Sequence, residues 1–190
     1  MKVACPFSGA AAYHDGKPYE ACDAFNAALL AELRLDRPDL LITSQFANSG
    51  RLANHVSPNE DDMVEGLVTR WSEVRSWGTK IVVLVDNPVP NGIERPVDDC
   101  ILENAADVSK CAFDRARGVS ASGAPAQRAA AARVPETQLL DLTEYICPRD
   151  TCAPVIGDVL VYRQGSHITA TYARTLLPMF VRKLEAALAN

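Results

Sequence analysis

From Ala24 to Leu35 (Ala-Phe-Asn-Ala-Ala-Leu-Leu-Ala-Glu-Leu-Arg-Leu) apolar residues return every three or four positions, which predicts an amphipathic helix with Asp23 as its N-cap. The pattern stops before Arg37-Pro38-Asp39, and Leu40-Leu41-Ile42-Thr43-Ser44 follows as a short buried strand. Asn59 to Trp77 reads as a second helix, with Met63, Leu67, Trp71 and Val74 on one face and Gly78 ending it. Trp71 and Trp77 are expected in the core. Lys80 to Val85 (Lys-Ile-Val-Val-Leu-Val) is the strongest strand: apolar, β-branched, bounded by Asp86-Asn87-Pro88, and expected to be buried on both faces.

The middle of the chain is less regular. Pro96 to Cys111 reads as a loop leading into a short helix, Ser120 to Pro125 as a small-residue loop, and Ala126 to Arg133 as an Ala-rich helix. Thr137 to Leu142 is a third strand. The last helix is predicted from Thr169 to Leu188, with Leu176, Leu177, Phe180, Leu184 and Leu188 as its apolar face. Strands alternating with helices indicate an α/β fold with a parallel sheet and helices on both faces. Residues 1–190 read as one domain, without an internal repeat or a dividing linker.

Composition narrows the function classes. The chain has 190 residues, a net charge of -5 and 48% apolar residues. That is enough to bury a core unaided, and it excludes a nucleic-acid partner, because no Lys/Arg cluster exists to displace counterions. The first residues, Met-Lys-Val-Ala-Cys-Pro-Phe, lack the apolar stretch of a signal peptide. Six cysteines fall as three sequence-local pairs: Cys5/Cys22, Cys100/Cys111 and Cys147/Cys152. Disulfides, buried thiols and metal ligation are all open readings. Disulfides are favoured, and zinc is disfavoured because Cys147-x4-Cys152 has no second Cys or His pair near it. Disulfides imply an oxidising compartment, and the missing export signal then suggests a domain cut from something larger.

The candidate chemistry lies in Val161-Tyr162-Arg163-Gln164-Gly165-Ser166-His167-Ile168-Thr169-Ala170-Thr171-Tyr172-Ala173. It sets His167 in a polar turn between an apolar run and the last helix, where a serine hydrolase or acyltransferase keeps its general base. Thr169 and Thr171 are expected to cap that helix rather than touch substrate. Further landmarks are Ala4-Cys5-Pro6-Phe7, Cys22 before a helix, Arg37-Pro38-Asp39 entering a strand, Val85-Asp86-Asn87-Pro88-Val89-Pro90, Asp99-Cys100, Cys147-Pro148 and Cys152.

Together these residues resemble the SGNH domain fused to the C-terminus of acyltransferase-3 membrane proteins, which O-acetylate bacterial surface polysaccharides. The resemblance spans nearly the whole chain. It implies a flavodoxin-like three-layer α/β/α fold and a Ser-Asp-His triad with His167 as base. It also implies a periplasmic or otherwise extracytoplasmic location, a polysaccharide acceptor and a membrane acyltransferase domain as acyl donor. No cofactor and no metal are expected.

Two departures qualify that expectation. The family's Gly-Asp-Ser-His block, which ends its first strand and carries the nucleophile, has no counterpart here. Ser8 and Ser44 stand in other places. The domain is therefore expected to be N-terminally incomplete, with a gapped or rearranged sheet or one whose gap is filled from another chain, since the first strand is central in a flavodoxin-like order. The second departure is Gln164, which occupies the place of the triad aspartate. A neutral amide cannot supply the charge that stabilises an imidazolium, so Asp150, Asp158 or a backbone carbonyl would have to substitute. The chain is expected to be an acyltransferase domain that is inactive or impaired in this form. The alternatives are a non-catalytic glycan- or partner-binding remnant and a free-standing carbohydrate esterase. Asn48 and Asn87, near the ends of strands, are candidate substrate-binding residues, and Asn48 is also a candidate oxyanion donor. His55 shares the polar stretch of Asn48, and His14 reads as exposed in a turn.

Overall fold

The computed structural model describes residues 5–46, 49–53, 55–90 and 96–189. Its elements begin with β1 (Tyr13–His14), β2 (Lys17–Pro18), α1 (Glu20–Asp36), β3 (Leu40–Thr43), α2 (Glu60–Arg75) and β4 (Lys80–Leu84). After these come α3 (Val97–Glu103), a 3-10 turn (Val108–Cys111), β5 (Phe113–Asp114), α4 (Arg115–Ser120), α5 (Ala124–Ala131) and β6 (Gln138–Leu140). The chain continues through α6 (Thr143–Ile146), β7 (Thr151–Cys152), β8 (Val155–Ile156), β9 (Val159–Leu160) and α7 (Ala170–Leu188). It divides into two compact units, Met1–Asp86 with Gly123–Leu140, and Asn87–Ser122 with Asp141–Asn190.

The first unit is built on a parallel sheet of order β3-β4-β6. Residues paired in register share a face, so Leu41 with Ile81 and Thr43 with Val83 look the same way. That face meets Met63, Leu67, Trp71 and Val74 of α2 and Ala126 and Ala130 of α5, with Leu29, Leu30 and Leu33 of α1 packed on the same core. Ile81, Val82 and Val83 are 1%, 1% and 0% exposed, so β4 is covered on both faces as its composition predicts. Trp71 is fully buried, and Trp77 packs partly buried against this core.

Helix starts follow local chemistry in one case and tertiary contacts in the other. Asn59 caps α2, its side-chain oxygen accepting the Asp62 amide at 2.8 Å. Asp23, expected as the cap of α1, lies inside that helix, and its carboxylate accepts the Ala12 amide at 3.0 Å. The first turn of α1 is held instead by the Cys5–Cys22 disulfide and by Asn26, whose amide donates to the Pro6 carbonyl. Helix α2 also lies against the segment Ser8–Ala10. Gly9 donates its amide to the Gly66 carbonyl at 2.9 Å, and a Cβ on Gly66 would sit 2.3 Å from Ser8 Oγ.

The sheet corrects the expectation of a gap. Its three strands are adjacent, and among the described residues β3 pairs only with β4. Ile42 on this edge strand is 42% exposed.

In the second unit β5 pairs with β7 and β8 with β9, both antiparallel. The Phe113 and Tyr162 rings meet edge to face at 5.6 Å. Thr169 caps α7 by accepting the Tyr172 amide at 3.1 Å. Tyr172 and Leu176 turn inward, and Tyr172 donates its hydroxyl to the Tyr145 carbonyl. Leu177, expected on the apolar face, stands about 100° further round the helix and is 58% exposed. The disulfides are Cys5–Cys22, Cys100–Cys111 and Cys147–Cys152, the three sequence-local pairs. No helix of the described residues is long and apolar enough to cross a membrane.

We expect Gly66→Ala to lower stability by about 1–3 kcal/mol through overpacking, read as a lower urea midpoint. Ile42→Thr should stay within about 0.5 kcal/mol, as for other exposed positions.

Candidate active site

Residues Tyr162 to Ile168 form a tight loop closed by a bridge between those two positions. Arg163 donates its amide to the His167 carbonyl at 2.8 Å, and Gly165 takes a left-handed conformation (φ 63°) that lets the chain reverse. The loop is anchored below by Tyr162, which is fully buried and donates its hydroxyl to the Pro88 carbonyl at 2.8 Å. It is anchored at the side by Asn87, whose amide donates to the Ser166 carbonyl at 3.2 Å. Asn87, proposed separately from the sequence, thus bonds the residue before His167.

His167 itself is exposed. Its Nδ1 lies 2.9 Å from the main-chain oxygen of Gln164. A carbonyl only accepts, so the proton sits on Nδ1 and the lone pair on Nε2. Gln164 therefore acts through its backbone, and the tautomer suits a base. What the carbonyl lacks is a full negative charge to favour the imidazolium. Of the substitutes considered for the aspartate, Asp158 occupies the left-handed turn between β8 and β9, while the backbone carbonyl is the group found against the ring.

The first unit presents polar residues where β3 and β4 end. Gln127, fully buried, accepts the Asp86 amide at 2.7 Å and donates to the Leu84 carbonyl at 3.3 Å. Asp86 accepts the Gly123 amide at 2.9 Å, so this acid is used in holding the α5 entry. Ser8 is buried with its hydroxyl accepting the Ala10 amide, a structural role. Asn48 lies outside the described residues.

The loop from β3 to α2 adds a pair that sequence reading missed. His55 Nδ1 is 2.5 Å from Asp62 Oδ1, and Asp62 Oδ2 accepts the Leu52 amide at 2.9 Å. Asp62 is 1% exposed, whereas the His55 side chain is 46% exposed. Burial pushes the Asp62 carboxyl up, but the Leu52 amide, the His55 ring and Asn59 more than offset it and hold it below the usual carboxylate range. His55 lies in the loop before α2, so no helical or strand periodicity links it to Asp62. The one available cue was Asn59-x-x-Asp62, an N-cap followed by an acid in the first turn.

The family model of the SGNH domain fused to AT3 domains matches residues 2–182. The chain belongs to this family. Among solved structures, the SGNH domain is similar to the periplasmic domain of a lipopolysaccharide acetyltransferase from Salmonella ser. Paratyphi A. The TM-score is 0.64 at 13% identity, over 95% of this chain and 69% of that one. No curated protein sequence matches. The match to that structure carries the fold: mixed α/β with a parallel sheet, as the periodicity and the resemblance both imply.

The lowered Asp62 value fixes the sign of one pH effect. Its contribution is present above the unfolded carboxylate value, 3.8, and is lost as pH falls through the lower folded value. We expect Asp62→Asn to melt at a lower temperature than the unaltered SGNH domain near neutral pH, with the difference narrowing below about pH 4, measured by thermal melts across an acid series.

Proposed function

We propose that this SGNH domain serves a bacterial O-acetyltransferase that modifies a cell-surface polysaccharide on the periplasmic side of the membrane. The observation that carries the reading is the Tyr162–His167 loop, which holds His167 as an Nδ1–H tautomer within a chain matched by the family over residues 2–182. In this reading an AT3 membrane domain supplies the acetyl group and the polysaccharide supplies the accepting hydroxyl. His167 occupies the position of the base that takes the hydroxyl proton. Its Nδ1 partner is a neutral carbonyl rather than a carboxylate, so no charge favours the imidazolium formed during transfer and turnover by the domain in this form is impaired. Asn87 supports the loop through Ser166, and in this reading it is a contact for the acceptor sugar.

One observation favours a second reading, glycan binding without catalysis: a main-chain carbonyl, not a carboxylate, stands at the imidazole Nδ1. Glycan binding that persists in His167→Ala, with no acetyl transfer by the unaltered protein, would select it.

Loss of the gene should reduce the acetyl methyl signal in the proton NMR spectrum of the purified surface polysaccharide. Unchanged acetylation would overturn the proposal. Gln164→Asp should raise His167-dependent ester hydrolysis at least about tenfold, well inside the roughly 10⁴ that the charge is worth in a serine protease. Rapid hydrolysis by the unaltered domain that is lost in His167→Ala and that Gln164→Asp does not improve would overturn the impairment.

A further inference from the structure

The first unit holds a histidine that has what His167 lacks. We propose that His55 is a general base for acyl-ester chemistry, with Asp62 as its positioning residue; this deepens the acyl-transfer reading and rests on it.

The loop that presents His55 leaves the carboxyl end of β3, the edge of a parallel sheet where ligands commonly bind. Its frame is fixed on both sides, since Gly50 bridges to Asn59 and Arg51 to Ala11. His55 is held through its backbone as well: its amide donates to the Leu52 carbonyl, and Arg51 donates to the His55 carbonyl, both at 3.1 Å. Only the ring remains to be oriented, and Asp62 Oδ1 does this at 2.5 Å. The contact puts the proton on Nδ1. In the neutral ring Nε2 then carries the lone pair; it has no hydrogen-bond partner among the described residues and belongs to a ring that is 46% exposed. A buried carboxylate behind an exposed imidazole is the arrangement that stabilises the imidazolium formed when the ring accepts a proton.

The step balances without a cofactor. Nε2 removes the proton from an attacking hydroxyl, water or a sugar, as its oxygen bonds to the acyl carbonyl carbon. The imidazolium, held against Asp62, then gives that proton to the leaving oxygen as the ester C–O bond breaks. The acyl group ends on the attacking oxygen, the alcohol is released, and His55 returns neutral.

The test uses the full chain and p-nitrophenyl acetate. The unaltered protein should hydrolyse the ester above the buffer rate, and His55→Gln should lower kcat at least about tenfold, within the usual range for a general base. Gln can still donate to Asp62, so its thermal midpoint should stay close to that of the parent. His14→Gln, at an exposed turn histidine, should change nothing. Asp62→Asn should lower kcat with KM little changed, and Asp62→Glu should recover part of the loss. Independently of activity, a downfield imidazole N–H signal in the proton NMR spectrum should vanish in His55→Gln and move in Asp62→Asn. Hydrolysis at the buffer rate, or equal kcat in folded His55→Gln, would overturn the role of His55. Unchanged polysaccharide acetylation on gene loss, with hydrolysis still dependent on His55, would sink the transferase reading and leave the base standing.

Discussion

The Gln127 side chain, fully buried at the start of the α5–β6 segment, joins pieces of chain that would otherwise leave the sheet independently. Its oxygen takes the Asp86 amide, and its nitrogen gives to the Leu84 carbonyl and, at 3.5 Å, to the Gln45 carbonyl. Each of those groups lies just past or at the end of a parallel strand, where the ladder stops and buried peptide groups need new partners. One amide with two donors and a strong acceptor meets that need, which an apolar residue of equal size could not. Gly123 allows the close approach, since a Cβ there would sit 2.2 Å from the Gln45 oxygen. The loops that carry polar candidates leave the sheet from this clamped edge.

Two histidines in this chain show how the same ring is given different chemistry by its partner. Both receive an acceptor at Nδ1, so both present the same tautomer. A carbonyl fixes geometry, while a carboxylate fixes geometry and also lowers the free energy of the charged ring. The acceptors come from different sources: the Gln164 carbonyl is three residues from His167 in a tight turn, whereas Asp62 reaches His55 from the first turn of a helix. The first is a by-product of the turn. The second needs a buried charge, which Leu52 and Asn59 help to offset.

The strands and long helices were legible because each carries its own periodicity: β4 as an unbroken β-branched run, α2 as Met63, Leu67, Trp71 and Val74 behind Asn59. The start of α1 was not, because Tyr19 gives no capping signal and the fixing contacts come from Cys5 and Pro6, far upstream. Leu177 was misplaced since composition says that a face is apolar but not how much of it finds a neighbour. At the site, His167 was visible from its turn, and Asn87 only as a strand-end amide. The carbonyl role of Gln164 could not be read, because sequence names the side chain and not the direction of the main chain. His55 and Asp62 were hidden for a related reason: their meeting depends on the path of an irregular loop.

The cysteine pairs close spans of 17, 11 and 5 residues. Closing a chain segment costs more entropy as it lengthens, so bringing Cys22 to Cys100 instead would cost about 1 kcal/mol more than bringing it to Cys5. Each native partner is thus the one that an unfolded chain meets most often. The correct connectivity is favoured before any sheet has formed, and oxidation can proceed by encounter frequency, with little need for mispaired bonds to be broken and remade.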